Sequence, residues 1–301
     1  MKVGERVAAA IRSEEVLDIV GESSGDTLST SDALERLRHA RGFIFDMDGV
    51  LYRGGQKLAG VNDLFNALVL RERTIVLATN NSMASPATYA TRLAAMGIEV
   101  AEANILTSGS ATAAYLKEEL PSGSGVYVIG MPALRDLIFG DGSFQPVQYG
   151  EGPVAAVVAG LDLQFTYEKL RHASAAIRGG ARFVATNTDA TLPTEDGLQP
   201  GAGSIIAAVA TASGAAPVVV GKPEPLMLLE ALRLFKLDAA ETVMVGDRLD
   251  TDILAGSRAN LLTALVLTGV STREDLATSS ILPDLVFSDL PAMLEMLIGN
   301  S

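Results

Sequence analysis

The chain has 301 residues, 48% of them hydrophobic and 20% charged, with a formal net charge of -13 and no cysteine. That length buries a sizeable core in one or two domains, and the composition is that of an ordinary soluble globular protein. The acidity argues against a nucleic-acid partner, and the missing cysteines exclude disulfides, thiolate metal sites and cysteine nucleophiles.

Residues 1–30 form an acidic extension containing an amphipathic stretch at 7–20 and a soft linker at Gly21-Glu-Ser-Ser-Gly-Asp26. Charges run through residues 1–21, unlike the basic start and apolar stretch of a signal peptide, so a cytoplasmic location is expected. Asp32-Ala-Leu-Glu35 has capping-box spacing, which predicts a short helix running to about residue 41. His39 and His172 are the only histidines. They are too few for a multi-His zinc site and are read as surface helix residues.

Phe43-Ile-Phe-Asp-Met-Asp-Gly-Val-Leu-Tyr52 is an apolar run that breaks into two carboxylates and a glycine. Phe43 to Phe45 read as a buried parallel strand, which puts Asp46 and Asp48 at its C-terminal end, where open α/β sheets bind ligands. Extended backbone sends residues i and i+2 to one side, and two adjacent carboxylates call for a divalent cation. Residues 61–71 then show helical spacing, and 74–79 read as a second buried strand. It ends in Thr79-Asn80-Asn81-Ser82, short hydroxyl and amide side chains ahead of a helix at 86–96, a setting that suits a phosphoryl oxygen.

A helix at 108–120 leads to the linker Pro121-Ser-Gly-Ser-Gly125. Alternating elements follow: strand 126–129, helix 132–138, strand 155–159, helix 167–178 and strand 182–185. They are enough for an inserted α/β layer. Asn187 and Asp189 sit in the polar stretch after it, and read equally as turn residues or as part of a site. The longest uncharged run, 200–221, is broken at Ser213-Gly214 and Pro217 and reads as a helix and a strand, so no membrane span is expected.

Val218-Val-Val-Gly-Lys-Pro-Glu224 is expected to rejoin the main sheet. Ala216 stands where a P-loop needs its first glycine, and Pro223 where it needs Ser or Thr, so Gly-Lys is not a nucleotide motif. Lys222 would face the carboxylates from a strand end. Thr242-Val-Met-Val-Gly-Asp247-Arg-Leu-Asp-Thr-Asp252 is another strand breaking into carboxylates, with a helix at 253–259. A further strand and turn at 265–276 and a last strand at 283–287 complete the pattern.

These four motifs, in this order, resemble those of the haloacid-dehalogenase superfamily of aspartate-nucleophile phosphatases. Asp46 and Asp48 match the first motif, Thr79 the second, Lys222 the third and Asp247 the fourth. Residues 184–203 resemble the large α/β cap of the 4-nitrophenylphosphatase and phosphoglycolate-phosphatase branch. The resemblance implies a doubly wound, Rossmann-like parallel-sheet core at 31–121 and 216–301, with an inserted α/β cap at 122–215. It implies a phosphatase for small-molecule phosphate monoesters, working through an aspartyl-phosphate intermediate. Asp46 would be the nucleophile and Asp48 the general acid and base. Mg²⁺ would be held by Asp46, the carbonyl of Asp48 and Asp247, with Asp252 supporting. Thr79, Asn80 and Lys222 would bind phosphate, with Asn81 supporting, and Asn187 and Asp189 would belong to the cap loop that selects the ester.

Caps of this branch often pair, which leaves a homodimer through the cap open. Asp48 sets the chain apart from transport ATPases, which carry Thr there, and from dehalogenases, which lack the acid. A phosphotransferase would need an acceptor site that has no signature here. A regulatory binding protein would have lost Asp46, Asp48, Lys222 or Asp247, and a dinucleotide-dependent dehydrogenase would need a G-x-G-x-x-G after the first strand.

Overall fold

The computed structural model describes residues 28–148, 150–194 and 197–299. The amphipathic stretch at 7–20 and the linker after it lie outside the described residues. The chain divides into two compact units: one takes residues up to 78, 90–105 and from 223 on, the other 79–89 and 106–222. The second unit thus includes residues 79–89, with the first turn of the helix Pro86–Ala95, and the helix Ser108–Glu119, both ahead of residue 122.

The main sheet orders its strands Leu285–Phe287, Leu262–Val266, Thr242–Gly246, Gly42–Phe45, Thr74–Thr79, Ile105–Thr107, and all but the last residues of the final two belong to the first unit. The pairings from Leu285–Phe287 through Thr74–Thr79 are parallel. The chain builds outward from Gly42–Phe45 in one direction and then returns to build in the other. The winding is therefore doubly wound, and the order reverses at the strand that leads to Asp46.

Phe43, Ile44 and Phe45 have no exposed surface. Phe45 packs on Phe65 with ring centroids 5.3 Å apart, and each such buried side chain stabilises by about 1.5–3 kcal/mol. The helix Thr30–His39 delivers the chain to this strand. Its cap is Ser29, whose hydroxyl accepts the Asp32 N–H at 3.1 Å, so the helix starts earlier than the expected cap at Asp32. His39 is exposed on its last turn.

The second unit carries a five-stranded parallel sheet in the order Val218–Val219, Arg182–Ala185, Ala156–Ala159, Gly125–Ile129, Gln145–Pro146. The helices Tyr167–Arg178 and Ala202–Ser213 bury Ala173, Ile177, Ile206 and Val209 against Val157 and Phe183 of this sheet. His172 on the first of them is half-buried, edge-on to Tyr127, which corrects the expected surface position. An antiparallel hairpin, Thr191–Thr194 with Gly197–Pro200, follows the strand Arg182–Ala185.

The segment at 218–219 does not rejoin the main sheet as expected. Val218 and Val219 pair with Val184 and Ala185, and the Gly221 N–H extends the ladder to the Thr186 carbonyl at 2.8 Å. Among the described residues no helix is long and apolar enough to cross a membrane.

Candidate active site

Asp46 follows directly on the strand Gly42–Phe45, and Asp247 follows directly on Thr242–Gly246. The two strands pair in register, Phe45 opposite Val245, so both deliver their carboxylates to one edge of the sheet. Asp46, Asp247 and Asp252 bring one oxygen each within 4.8 Å of one another. Asp247 and Asp252 are 2% and 1% exposed. Three carboxylates this close repel, and an all-oxygen set of this kind fits a hard divalent cation.

The sequence around Asp247 fixes it from several sides. Asp252 Oδ2 accepts the N–H groups of Asp247 and Arg248, at 3.2 and 3.1 Å. It is brought back by a single π-helical turn, Leu249–Ile253, running into the helix Leu254–Arg258, which falls within a residue of the expected 253–259. A side chain at Gly246 would lie 2.1 Å from the Asp252 Cβ, so only glycine admits this turn. Gly49 has φ +83 and also packs against the Asp247 carboxylate, in a backbone region where other residues are strained.

Asp48 bridges to Tyr52 and is not part of the carboxylate trio. Its carboxyl is pushed above the usual aspartate value by desolvation, and the positive charge of Arg53 pulls the other way. Arg53 ends the short strand Tyr52–Arg53, which pairs with Gln56–Lys57 across Gly54 and Gly55. Both glycines have positive φ, as a tight hairpin of this length requires.

The second unit gathers the remaining expected residues into one polar network. The Asn80 amide donates to both carboxylate oxygens of Asp189, at 3.1 and 3.2 Å, and to the Lys222 carbonyl at 2.7 Å. The Asn80 carbonyl accepts the Asn187 amide at 2.7 Å and the Ser108 hydroxyl at 2.5 Å. Asn187 Oδ1 in turn accepts the Asp189 N–H at 3.1 Å. Thr79 Oγ1 accepts the Asn81 N–H at 3.2 Å, and Asn81 Oδ1 accepts the Met83 N–H at 2.8 Å, so Asn81 shapes the turn.

Asn187 and Asp189 are therefore bonded members of this network rather than solvated turn residues. Lys222 is 2% exposed. The buried Asn80 Oδ1 has no hydrogen-bond partner among the described residues.

The sequence reading missed the backbone and polar groups that steady Asp247. The Val270 N–H donates to Asp247 Oδ2 at 2.7 Å, and the Ser271 N–H to the Asp247 carbonyl at 3.0 Å. Backbone donors leave no side-chain signature. The only hint was the Thr268-Gly269 pair, which allows a tight approach. Ser108 was visible only as a helix start.

Two family models match the chain, one described as haloacid dehalogenase-like hydrolase over residues 43–142 and one as HAD-like hydrolase over 219–293. An acid sugar phosphatase from Staphylococcus saprophyticus is 36% identical over 261 residues, 87% of this chain and 99% of that protein. The crystal structure of a 4-nitrophenylphosphatase from Thermotoga maritima superposes with a TM-score of 0.80 at 33% identity, over 87% of this chain and 99% of that one. A glycerol phosphate phosphatase from Mycobacterium tuberculosis, in complex with magnesium, gives a TM-score of 0.78 at 33% identity, over 86% and 77% of the two chains. With its carboxylates at the switch point of a doubly wound sheet and these relatives along most of its length, the chain belongs to the haloacid dehalogenase-like hydrolases and is a phosphatase.

Proposed function

We propose that this phosphatase hydrolyses small phosphate monoesters with Mg²⁺ bound, carrying the phosphoryl group transiently on Asp46. The observation behind the reading is the trio of carboxylate oxygens from Asp46, Asp247 and Asp252 within 4.8 Å. A phosphate monoester dianion repels an attacking carboxylate, so charge neutralisation and alignment are the main work of catalysis. Asp46, Asp247 and the Asp48 carbonyl would hold Mg²⁺, with Asp252 supporting. Bound there, Mg²⁺ supplies positive charge to the phosphoryl oxygens. By the family resemblance, the Lys222 ammonium, the Thr79 hydroxyl and the Asn80 N–H would hold the other phosphoryl oxygens.

An Asp46 oxygen bonds to phosphorus as the bond from phosphorus to the ester oxygen breaks, and Asp48 gives its proton to that leaving oxygen. Asp48, now a carboxylate, takes a proton from water. The water oxygen bonds to phosphorus and frees Asp46 and inorganic phosphate. The upward push on the Asp48 carboxyl supports the proton-donating half of this cycle.

The inserted layer at 122–215 would act as the cap, with Asn187 and Asp189 selecting the ester. The names of the relatives, an acid sugar phosphatase and a glycerol phosphate phosphatase, favour sugar or polyol phosphates as substrates. Glycerol phosphate, sugar phosphates and 4-nitrophenyl phosphate, each assayed with Mg²⁺ and with excess chelator, test the reading. Phosphate release that stops in chelator and returns with Mg²⁺ is expected. Full turnover in chelator would remove the metal from the account.

A further inference from the structure

The Gly269 carbonyl and the Val270 N–H belong to one peptide group. That group is planar, and in the trans form its oxygen and its hydrogen point in opposite directions. On the oxygen side stands Arg53, whose guanidinium donates to the Gly269 carbonyl at 2.9 Å and to the Thr268 carbonyl at 2.5 Å. On the hydrogen side stands Asp247, whose Oδ2 accepts the Val270 N–H at 2.7 Å. One rigid plane therefore links a fixed positive charge to the buried carboxylate.

Two further contacts brace the same loop. The Thr268 hydroxyl donates to the Gly49 carbonyl at 2.6 Å, and Ser271 Oγ accepts the Leu249 N–H at 3.1 Å. A side chain at Gly269 would fall 1.8 Å from Asp247 Oδ2, so only glycine lets the peptide come this close. A hydrogen bond from a cation to a carbonyl also polarises its peptide and strengthens the N–H as a donor.

We propose that Arg53 is a positioning residue for the metal site: through the 269–270 peptide it fixes the Asp247 carboxylate with Oδ2 engaged, and so sets the affinity of the site for Mg²⁺. The inference rests on the reading of Asp247 as a metal ligand. Arg53 sits on the hairpin Tyr52–Arg53 with Gln56–Lys57, which sequence reading leaves without a role. Partners that orient a ligand in this way change metal affinity by about 10- to 100-fold when removed.

The test compares full-length wild type, Arg53→Met, Arg53→Lys and Thr268→Val. Mg²⁺ binding is measured by calorimetry and by the rise of Tm with added MgCl₂, beside kcat and KM for 4-nitrophenyl phosphate over a Mg²⁺ series. Arg53→Met is expected to weaken Mg²⁺ binding by about tenfold or more, with kcat restored at saturating Mg²⁺ and KM for the ester unchanged. Arg53→Lys, which keeps the charge, should recover part of the affinity. Thr268→Val, which cuts the brace to Gly49, should weaken binding in the same sense, and it decides the matter if Arg53→Met does not fold. Unchanged Mg²⁺ affinity in soluble variants, or a loss of kcat that Mg²⁺ does not restore, would overturn the role of Arg53. Wild type that takes up no Mg²⁺ would instead overturn the metal reading itself.

Discussion

Lys222 keeps 2% of its surface exposed, and an ammonium is held that deep only where negative charge or strong acceptors surround it. In the proposed mechanism the negative charge it serves is that of the phosphoryl group. Lys222→Ala is therefore expected to lower kcat by ~10²–10³, the scale of one lost electrostatic contact in a dry site, while circular dichroism stays that of wild type. Near-normal kcat in that variant would confine the lysine to a structural role. The residues proposed to carry this chemistry stand out in the sequence because each sits at a break in an apolar run: Asp46 after Phe45, Asp247 after Gly246, Lys222 after Gly221. Arg53 and the Val270 amide do not, since an exposed arginine on a hairpin and a backbone N–H look alike in any sequence.

Elements with strong periodicity or a clear cap were read to within a residue or so: the helix Tyr167–Arg178, capped by the Thr166 hydroxyl, and the strand Arg182–Ala185 match the expected bounds. Short elements fared worse. The two residues Val218 and Val219 were assigned to the wrong sheet because a run that short carries no mark of which neighbour it pairs with, and the deciding bond is the Gly221 N–H to Thr186. The hairpin Thr191–Thr194 with Gly197–Pro200 was hidden by Pro193 and Pro200, which demote a strand reading. The helix Arg273–Thr278 was taken for a turn, although Thr272 and Asp275 form a full capping box.

Lys117 on the helix Ser108–Glu119 pairs with Asp141 at 2.6 Å, and that bond, with help from Ser143, holds the Asp141 carboxyl well below its usual range. A depressed folded-state value means the contribution is present above the unfolded value and is lost as pH falls toward and below it. The pair is exposed, so the effect is small and screened by salt. Thermal melts of wild type and Lys117→Met should therefore differ at neutral pH in low salt and converge in acid; a difference that grows in acid would contradict the assignment.

At the scale of the whole molecule, the α/β sheet with an inserted second α/β layer was legible from the alternation of apolar runs alone. Where the layers part was harder to read, because the helix Ser108–Glu119 looks like a core helix, yet Gly109 lies close under Leu134 and Leu137 of the second unit. Removing residues 122–215 would strip that helix of its neighbours, so a point substitution is the sounder probe of a cap. Asp189→Asn removes the charge that receives the Asn80 amide. It should lower kcat/KM for glycerol phosphate more than for 4-nitrophenyl phosphate; an unchanged ratio would take Asp189 out of ester selection.

In the proposed mechanism Asp46 carries the phosphoryl group and Asp48 moves the protons. Asp48→Asn keeps the backbone carbonyl and nearly keeps the shape, so it removes proton transfer and little else. 4-Nitrophenol leaves without a proton, whereas release of phosphate from Asp46 still needs a base. Mixing this variant with 4-nitrophenyl phosphate and Mg²⁺ in a stopped-flow instrument, then mapping the quenched protein by mass spectrometry, tests both halves together. A burst of nitrophenol equal to the enzyme present, slow turnover after it, and phosphate on the peptide that contains Asp46 are expected; no burst and an unmodified Asp46 would overturn both roles.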